Sequence, residues 1–341
     1  MSSSRRAKIC AAGHVLGGIE VPTEELLREA GYQSMGFDLN LITENMGISH
    51  VRHCAEITKP GELAARSGEI ALRKSGVSAS DIDMVLFCGI ERDLAEPATA
   101  HRIAHELGIN AKYCFDVSSA CHGFTDGLLV AQAYIASGRA EHVLVTTGEC
   151  SSSKAKLILD YFNKGKLDKS HAIDALGAFA LGDAGGAMVL THADPDNGVM
   201  ADRTANRSDL RRLCFWDNFG VEHGVDPSFG MKMAQICART IGMVQAMMPS
   251  TLQDLNWDKA DIDLFIPHQV GKRPFDIYLE MFGLTIEQSL ATYPRCGNLT
   301  SATIPVCWDI LESAGRIPKG SKIFIVSTGS GIVVSQLGII A

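Results

Sequence analysis

The 341 residues are 46% hydrophobic and carry a formal net charge of -8. That is enough apolar chain for a large core, and by length for two domains or one large duplicated one. Acidic and basic residues are interspersed, basic ones clustering only locally at Arg207, Arg211 and Arg212, which excludes the footprint of a nucleic-acid binder. The ten cysteines are scattered, with no CxxC pair and no metal-ligand spacing, so most read as reduced, buried cysteines of a cytoplasmic protein.

The N-terminal segment MSSSRRAKICAAG has two arginines but no long apolar run after them, so no signal peptide is expected. No uninterrupted stretch of about 18 apolar residues marks a membrane span. Residues 81–90 (DIDMVLFCGI) read as a buried strand, and residues 111–117 (AKYCFDV) as another. SSACHGF then leads into an amphipathic helix over roughly 121–137, with Phe124, Leu128, Ala131 and Ile135 at helical spacing. An SGR turn at 137–139 precedes the strand HVLVTTG at 142–148, which stops at Gly. The stretch 151–174 reads equally as a variable segment near a pocket mouth and as a plain surface excursion.

LGDAGGAMVL and ADPDNG place a join between about 165 and 205, giving halves of 1–180 and 181–341. The second half repeats the first. DIDLFIPH at 261–268 matches DIDMVLFC at an offset of 180, SAGR at 313–316 matches the SGR turn, and KIFIVSTG at 322–329 matches HVLVTTG. The same offset takes Ser118 to Asn298. Alternating short apolar strands and helices predict two similar α/β halves with mostly parallel, helix-covered sheets. A pseudo-twofold arrangement would bring loop 116–121 together with loops 267–269 and 296–300.

Loops after strands are the usual place for α/β active sites. Cys121 stands at such a strand-to-helix turn. A helix N-terminus stabilises a thiolate, and its free N–H groups can hold an oxyanion. Position alone fits an activated nucleophile and an inert buried cysteine equally. His268, at a strand end, and Asn298, in a Gly-Asn loop, each read singly as ordinary loop polar residues. Their joint placement in equivalent loops makes Cys121, His268 and Asn298 the candidate catalytic set.

At these residues the chain resembles the β-ketoacyl-[acyl-carrier-protein] synthase III family of the thiolase-fold superfamily. DVSSACHGF resembles the nucleophile segment, PHQV the His loop and GNLTSATIP the Asn loop. LGDAGGAMVL and STGSGIVVSQLGI resemble two further family strands. The resemblance implies a five-layered αβαβα fold and a homodimer. It implies that Cys121 takes an acyl group from a thioester, and that His268 and Asn298 stabilise the enolate formed when a malonyl-type thioester loses carbon dioxide. The acyl-enzyme oxyanion would be held by the backbone N–H groups of Cys121 and Ser330. Lys272 and Arg273 would help dock an acidic acyl carrier protein. Coenzyme A or carrier-protein thioesters serve as substrates, and neither a metal nor another cofactor is implied.

The entry segment departs from the family. Leu41 stands where a Trp, and Asn45 where an Arg, would grip the adenine end of coenzyme A; a second such Arg is Ala175 here. This argues against ordinary acetyl-CoA priming and towards a specialised pathway. His122 follows the nucleophile where a small residue is common; generic preference favours a core or surface role over a place in the pocket. Condensation is the leading reading. Acyl transfer to an oxygen or nitrogen acceptor, a thiol hydrolase and a non-catalytic partner subunit are the competitors. Retention of Cys, His and Asn disfavours the partner subunit.

Overall fold

A computed structural model describes residues 5–56, 58–194, 196–216 and 229–341. The first four residues of the N-terminal segment and Pro195 of the ADPDNG turn lie outside these. The chain opens with strand β1 (Arg6–Leu16) and a small antiparallel ribbon of β2 (Ile19–Pro22) and β3 (His50–His53), with helices α1 (Thr23–Glu29) and α2 (Leu41–Met46) between them. Then come α3 (Pro60–Ser75), β4 (Met84–Phe87), α4 (Thr99–Glu106), β5 (Tyr113–Asp116) and α5 (Gly123–Ala136). The first half ends with β6 (His142–Glu149), α6 (Ser152–Asn163), α7 (Lys169–Ala175) and β7 (Ala184–Ala193). The second half holds β8 (Gly198–Asn206), β9 (Cys214–Trp216), β10 (Phe229–Met231), α8 (Met233–Leu255), β11 (Leu264–Pro267) and α9 (Lys272–Phe282). It closes with α10 (Tyr293–Cys296), α11 (Thr303–Ser313), β12 (Lys322–Gly329) and β13 (Val333–Ile340).

Two sheets carry the fold, in the orders β1-β7-β6-β4-β5 and β11-β12-β13-β8. Sheet membership therefore changes between Ala193 and Gly198: β7, which the 180/181 division places in the second half, pairs in the first sheet. The expectation of mostly parallel sheets needs correction. Only β4 with β5 and β6, and β11 with β12, run parallel; the other neighbours in both sheets are antiparallel. For β12 and β13 the reason lies in the connection. Helical crossovers join the parallel strands, whereas β12 turns into β13 through only residues 330–332, and so short a link can join only antiparallel neighbours.

The apolar runs without polar breaks are explained by burial on both faces. Along β4, Met84 and Leu86 face the helices between the sheets, while Val85 and Phe87 face α3 and α4 outside. Along β12, Ile323 and Ile325 face inward, and Phe324 and Val326 pack with Val244, Phe275 and Phe282 of α8 and α9. Phe124 and Leu128 of α5 and Trp308 and Leu311 of α11 fill the space between the sheets. The result is five layers: α3 and α4, the first sheet, α5 and α11, the second sheet, then α8 and α9. Among the described residues, no helix is long and apolar enough to cross a membrane.

The duplication holds at the level of single residues. β4 and β11, β6 and β12, and the 3-10 turns Ala120–His122 and Thr300–Ala302 each correspond at the offset of 180. Ala120 and Thr300 even share a left-handed backbone, with φ of 50° and 51°. Such a conformation is uncommon for Ala and costly for a β-branched Thr. Both strained turns stand before a central helix and touch one another.

Segment 151–174 is not a plain surface excursion. Ala155, Ile158, Tyr161, Leu167 and Ala172 are buried in one cluster with Leu27 and Tyr32, and with Ile42 and Ile48 of the entry segment. The Tyr32 hydroxyl donates to the Ala172 carbonyl at 2.6 Å, and its ring meets Phe162 edge-on at 6.0 Å.

Candidate active site

Cys121, where the helix was expected to start, sits in the 3-10 turn Ala120–His122; α5 proper begins two residues later, at Gly123. The C-terminal Gly-rich loop closes over this turn. A Cβ on Gly329 would lie 2.8 Å from His122 Cβ and 3.2 Å from Ser119 O, so only Gly allows the approach. That contact brings the Ser330 backbone beside the Cys121 turn. The Ser330 hydroxyl donates to Cys214 Sγ at 3.0 Å.

The thiol itself is not lowered as its place before a helix suggested. Burial pushes Cys121 well above the usual thiol range; Cys214 and Glu149 add to the rise, and Lys154 opposes it. Magnitudes explain this outcome. A helix N-terminus offers roughly 0.5–1 kcal/mol, less than one pKa unit, whereas full desolvation shifts a group by several units. Although the residue retains some surface, its resting form is the thiol.

The Asn298 loop is tied to the centre of the molecule. Its backbone N–H donates to Ala180 O at 2.9 Å, and its carbonyl accepts from Gly182 N at 3.0 Å. Gly297 before it adopts φ 75°, with Ala180 O where a Cβ would stand at 2.7 Å. Asn298 is only 7% exposed, and its Oδ1 accepts from Thr300 N at 2.9 Å. With the oxygen occupied, the amide presents its N–H groups as donors.

His268 leaves the end of β11, its N–H donating to Val326 O at 2.7 Å. It is 4% exposed, and its Nδ1 is buried without a hydrogen-bond partner. Burial, helped by His122, lowers it to about 4 against a modest opposing bond with the Thr300 backbone. The ring is therefore neutral at physiological pH and carries one N–H. The structure thus brings His268 and Asn298 together around Thr300, in the turn that touches the turn of Cys121.

This has a consequence for acid stability. From the ordinary value of 6.5 down to about 4, the unfolded chain binds a proton that folded His268 refuses. The fold therefore loses stability as pH falls through that window, by up to roughly 3 kcal/mol. Glu149, raised to about 7, works in the opposite sense: what it contributes is present below 4.5 and lost as pH rises through 7. The two slopes oppose each other between 4.5 and 6.5. Calorimetry of His268→Gln against wild type should then show the variant gaining a few degrees in relative Tm between about pH 7.5 and pH 5. A pH-independent difference would mean that His268 is not held neutral.

His122 is fully buried away from solvent, with Nε2 2.7 Å from Ser335 Oγ and Nδ1 3.1 Å from Asp126 Oδ2. It is a core histidine that holds the turn. Leu41 packs on the hydrophobic cluster, Asn45 Nδ2 donates to Leu41 O at 2.8 Å, and Ala175 is fully buried within that cluster. None of the three supplies an aromatic face or a cation to a ligand. Lys272 is engaged by Asp276 at 2.5 Å on the same helix, which reduces what it offers a partner; Arg273 beside it has its charge felt at Cys237.

The residues sequence reasoning missed are Glu149, Lys154, Ser301 and Cys214. A signal existed for two of them. Ser301 is the 180-offset counterpart of Cys121, and Glu149 follows directly on an apolar strand.

Two family descriptions match the chain: 3-oxoacyl-[acyl-carrier-protein (ACP)] synthase III over residues 115–207, and the C-terminal part of that enzyme over residues 252–337. Together they span just over half of it. The β-ketoacyl-[acyl-carrier-protein] synthase III of Rhizobium rhizogenes is 28% identical over 276 residues, 80% of each chain. That of Roseobacter denitrificans is 27% identical over 333 residues, 96% of each chain. In three dimensions the chain is similar to OleA of Xanthomonas campestris, at a TM-score of 0.91 and 21% identity. The likeness covers 99% of this chain and 100% of an OleA solved with bound lauric acid and lauroyl-CoA. Fold and matches define a thiolase-fold condensing enzyme that transfers acyl groups. The chain belongs to the 3-oxoacyl-[acyl-carrier-protein] synthase III family.

Proposed function

We propose that the enzyme performs a decarboxylative Claisen condensation on Cys121. The observation that carries this is the meeting of the Cys121 turn with the turn at Thr300, around which a neutral His268 and an oriented Asn298 amide gather. Cys121 Sγ attacks the carbonyl of an acyl thioester and the donor leaves as a free thiol. A malonyl-type thioester then binds with its carbonyl oxygen towards His268 and Asn298. Loss of carbon dioxide leaves an enolate, whose charge develops where those two N–H donors point. The enolate carbon bonds to the acyl carbon, Cys121 departs, and a β-ketoacyl thioester is released. The backbone N–H groups of Cys121 and Ser330 serve the oxyanion of the acyl steps.

The substrates are coenzyme A or acyl-carrier-protein thioesters, with Arg273, more than the engaged Lys272, placed to meet an acidic carrier. The buried Ala175 and the apolar Leu41 support a donor other than one gripped by its adenine end. A homodimer is part of the same family-based reading.

The test is mass spectrometry of intact wild-type protein after exposure to acyl-CoA and acyl-carrier-protein donors of graded length. One covalent acyl group per chain, mapped to the Cys121 peptide, is expected. A protein that stays unmodified with every donor while turning over malonyl thioester would sink the reading.

A further inference from the structure

Two ionisable side chains that act on Cys121, Glu149 and Lys154, have no part in the condensation as written. Glu149, the last residue of β6, is fully buried. Its Oε1 accepts from the Ser301 hydroxyl and from Ile90 N at 3.2 Å, while its Oε2 is buried with no hydrogen-bond partner. Lys154, in the first turn of α6, is 8% exposed, and its Nζ stands 2.8 Å from Glu91 Oε1. The start of α6 is pinned by Asp183, whose carboxylate accepts from Ser152 N and Ser152 Oγ, both at 2.7 Å. So Lys154 is held in place by backbone anchoring as well as by its ion pair.

The duplication gives this cluster its meaning. Ser301 occupies in the second half the position of Cys121 in the first, and the two turns touch. The Glu149 carboxylate therefore serves the pseudo-twofold partner of Cys121 with one oxygen and keeps the other free. A buried carboxylate oxygen left unpaired is costly, and Oε2 is thereby open to take up a proton.

We propose that Glu149 accepts the thiol proton of Cys121 during acylation, and that Lys154, steadied by Glu91, supplies the positive charge that holds the sulfur's developing charge in the site. This rests on the reading of Cys121 as the acyl-accepting nucleophile. The step balances: the S–H proton passes to the Glu149 carboxylate as Sγ bonds to the acyl carbon. The donor's C–S bond then breaks, and its thiolate takes the proton from Glu149 and leaves as a thiol. The net charge of the cluster does not change.

The electrostatics agree. Desolvation raises Glu149 to about 7, with Glu91 adding and Lys154, Ser301 and Ile90 opposing, which places the acceptor near neutral pH. Cys121 feels Cys214, Glu149 and Lys154, and Lys154 in turn feels Glu91, Glu149 and Cys121. Cys150 is the remaining ionisable neighbour of Glu149, and its thiol is held protonated. His268, at about 4, is a weaker acceptor and is engaged as an N–H donor.

The experiment is alkylation of Cys121 by iodoacetamide between about pH 5.5 and 9, followed on the Cys121 peptide by mass spectrometry, with folding verified by circular dichroism. The wild-type rate is expected to rise through an inflection near 7. Glu149→Gln should lose that inflection and slow alkylation at pH 7.5 by roughly tenfold or more, since a positioned base contributes about 10²–10⁴. Lys154→Met should move the inflection upward and slow the reaction, and Lys154→Arg should restore it. A Glu149→Gln variant that alkylates faster than wild type would overturn the proposal, because Glu149 would then act only as a repelling charge. Should Glu149→Gln not fold, Ser301→Ala decides: removing a donor that lowers Glu149 must raise the inflection, and an unmoved inflection refutes the assignment. Iodoacetamide needs no acyl donor, so failure here is separable from failure of the condensation reading, which the acyl-donor mass assay reports.

Discussion

Cys121→Ala is expected to carry no acyl group after incubation with any thioester donor and to lose at least about 10⁴-fold in β-ketoacyl formation, the scale on which loss of a nucleophile acts. The variant should fold. The turn Ala120–His122 is held by His122 and by the Gly329 approach, and neither uses the Cys121 sulfur. Its thiol donates to no described partner whose loss would leave a buried group unpaired. The adduct must be located by peptide, because Cys214 lies close enough to influence Cys121. Cys214 is itself desolvated and raised, with its sulfur accepting from Ser330, so it is a poor competitor. An acyl group that persists at full stoichiometry in Cys121→Ala would end the assignment of the nucleophile.

The fold was legible because duplication doubles every signal. DIDMVLFC and DIDLFIPH each read as a strand, and their common offset predicted corresponding loops; the observed strands β4 and β11 keep that offset to the residue. Strand direction was not legible. Apolar continuity reports burial on both faces, which β12 has in full, but it is silent about direction, which the short connection to β13 decides. The candidate triad was readable from loop position and resemblance. The protonation of Cys121 was not, since the helix-terminus argument is local whereas desolvation depends on everything packed around the sulfur. Lys154 shows the same limit. In sequence it is one of several lysines in a polar-looking stretch, and the anchoring of α6 by Asp183 and the ion pair with Glu91 hold it buried. Segment 151–174 thereby changes from an undecided excursion into part of the wall near Cys121.

Asn298→Ala should separate the two halves of the reaction. Acylation of Cys121 precedes any use of the enolate donors, so the acyl-enzyme should form at close to the wild-type rate. Decarboxylation of the malonyl-type thioester should fall by roughly 10²–10³, the usual effect of removing one oxyanion donor. His268→Ala should give the same pattern, and the double variant should lose less than the product of the two, because both donors face one oxygen. The physical point is where charge develops. In the proposed reaction, the acyl steps would place it on an oxygen served by backbone N–H groups, and the malonyl step on another oxygen, served by two side chains. Because His268 is neutral down to about pH 4, its contribution should stay flat from pH 5 upward, and any fall in condensation between pH 8 and 6 belongs to another group. Radiolabelled carbon dioxide release, measured beside intact mass, reads both steps in one sample. Equal loss of acylation and decarboxylation in Asn298→Ala would show that the amide holds the site's architecture and not the enolate.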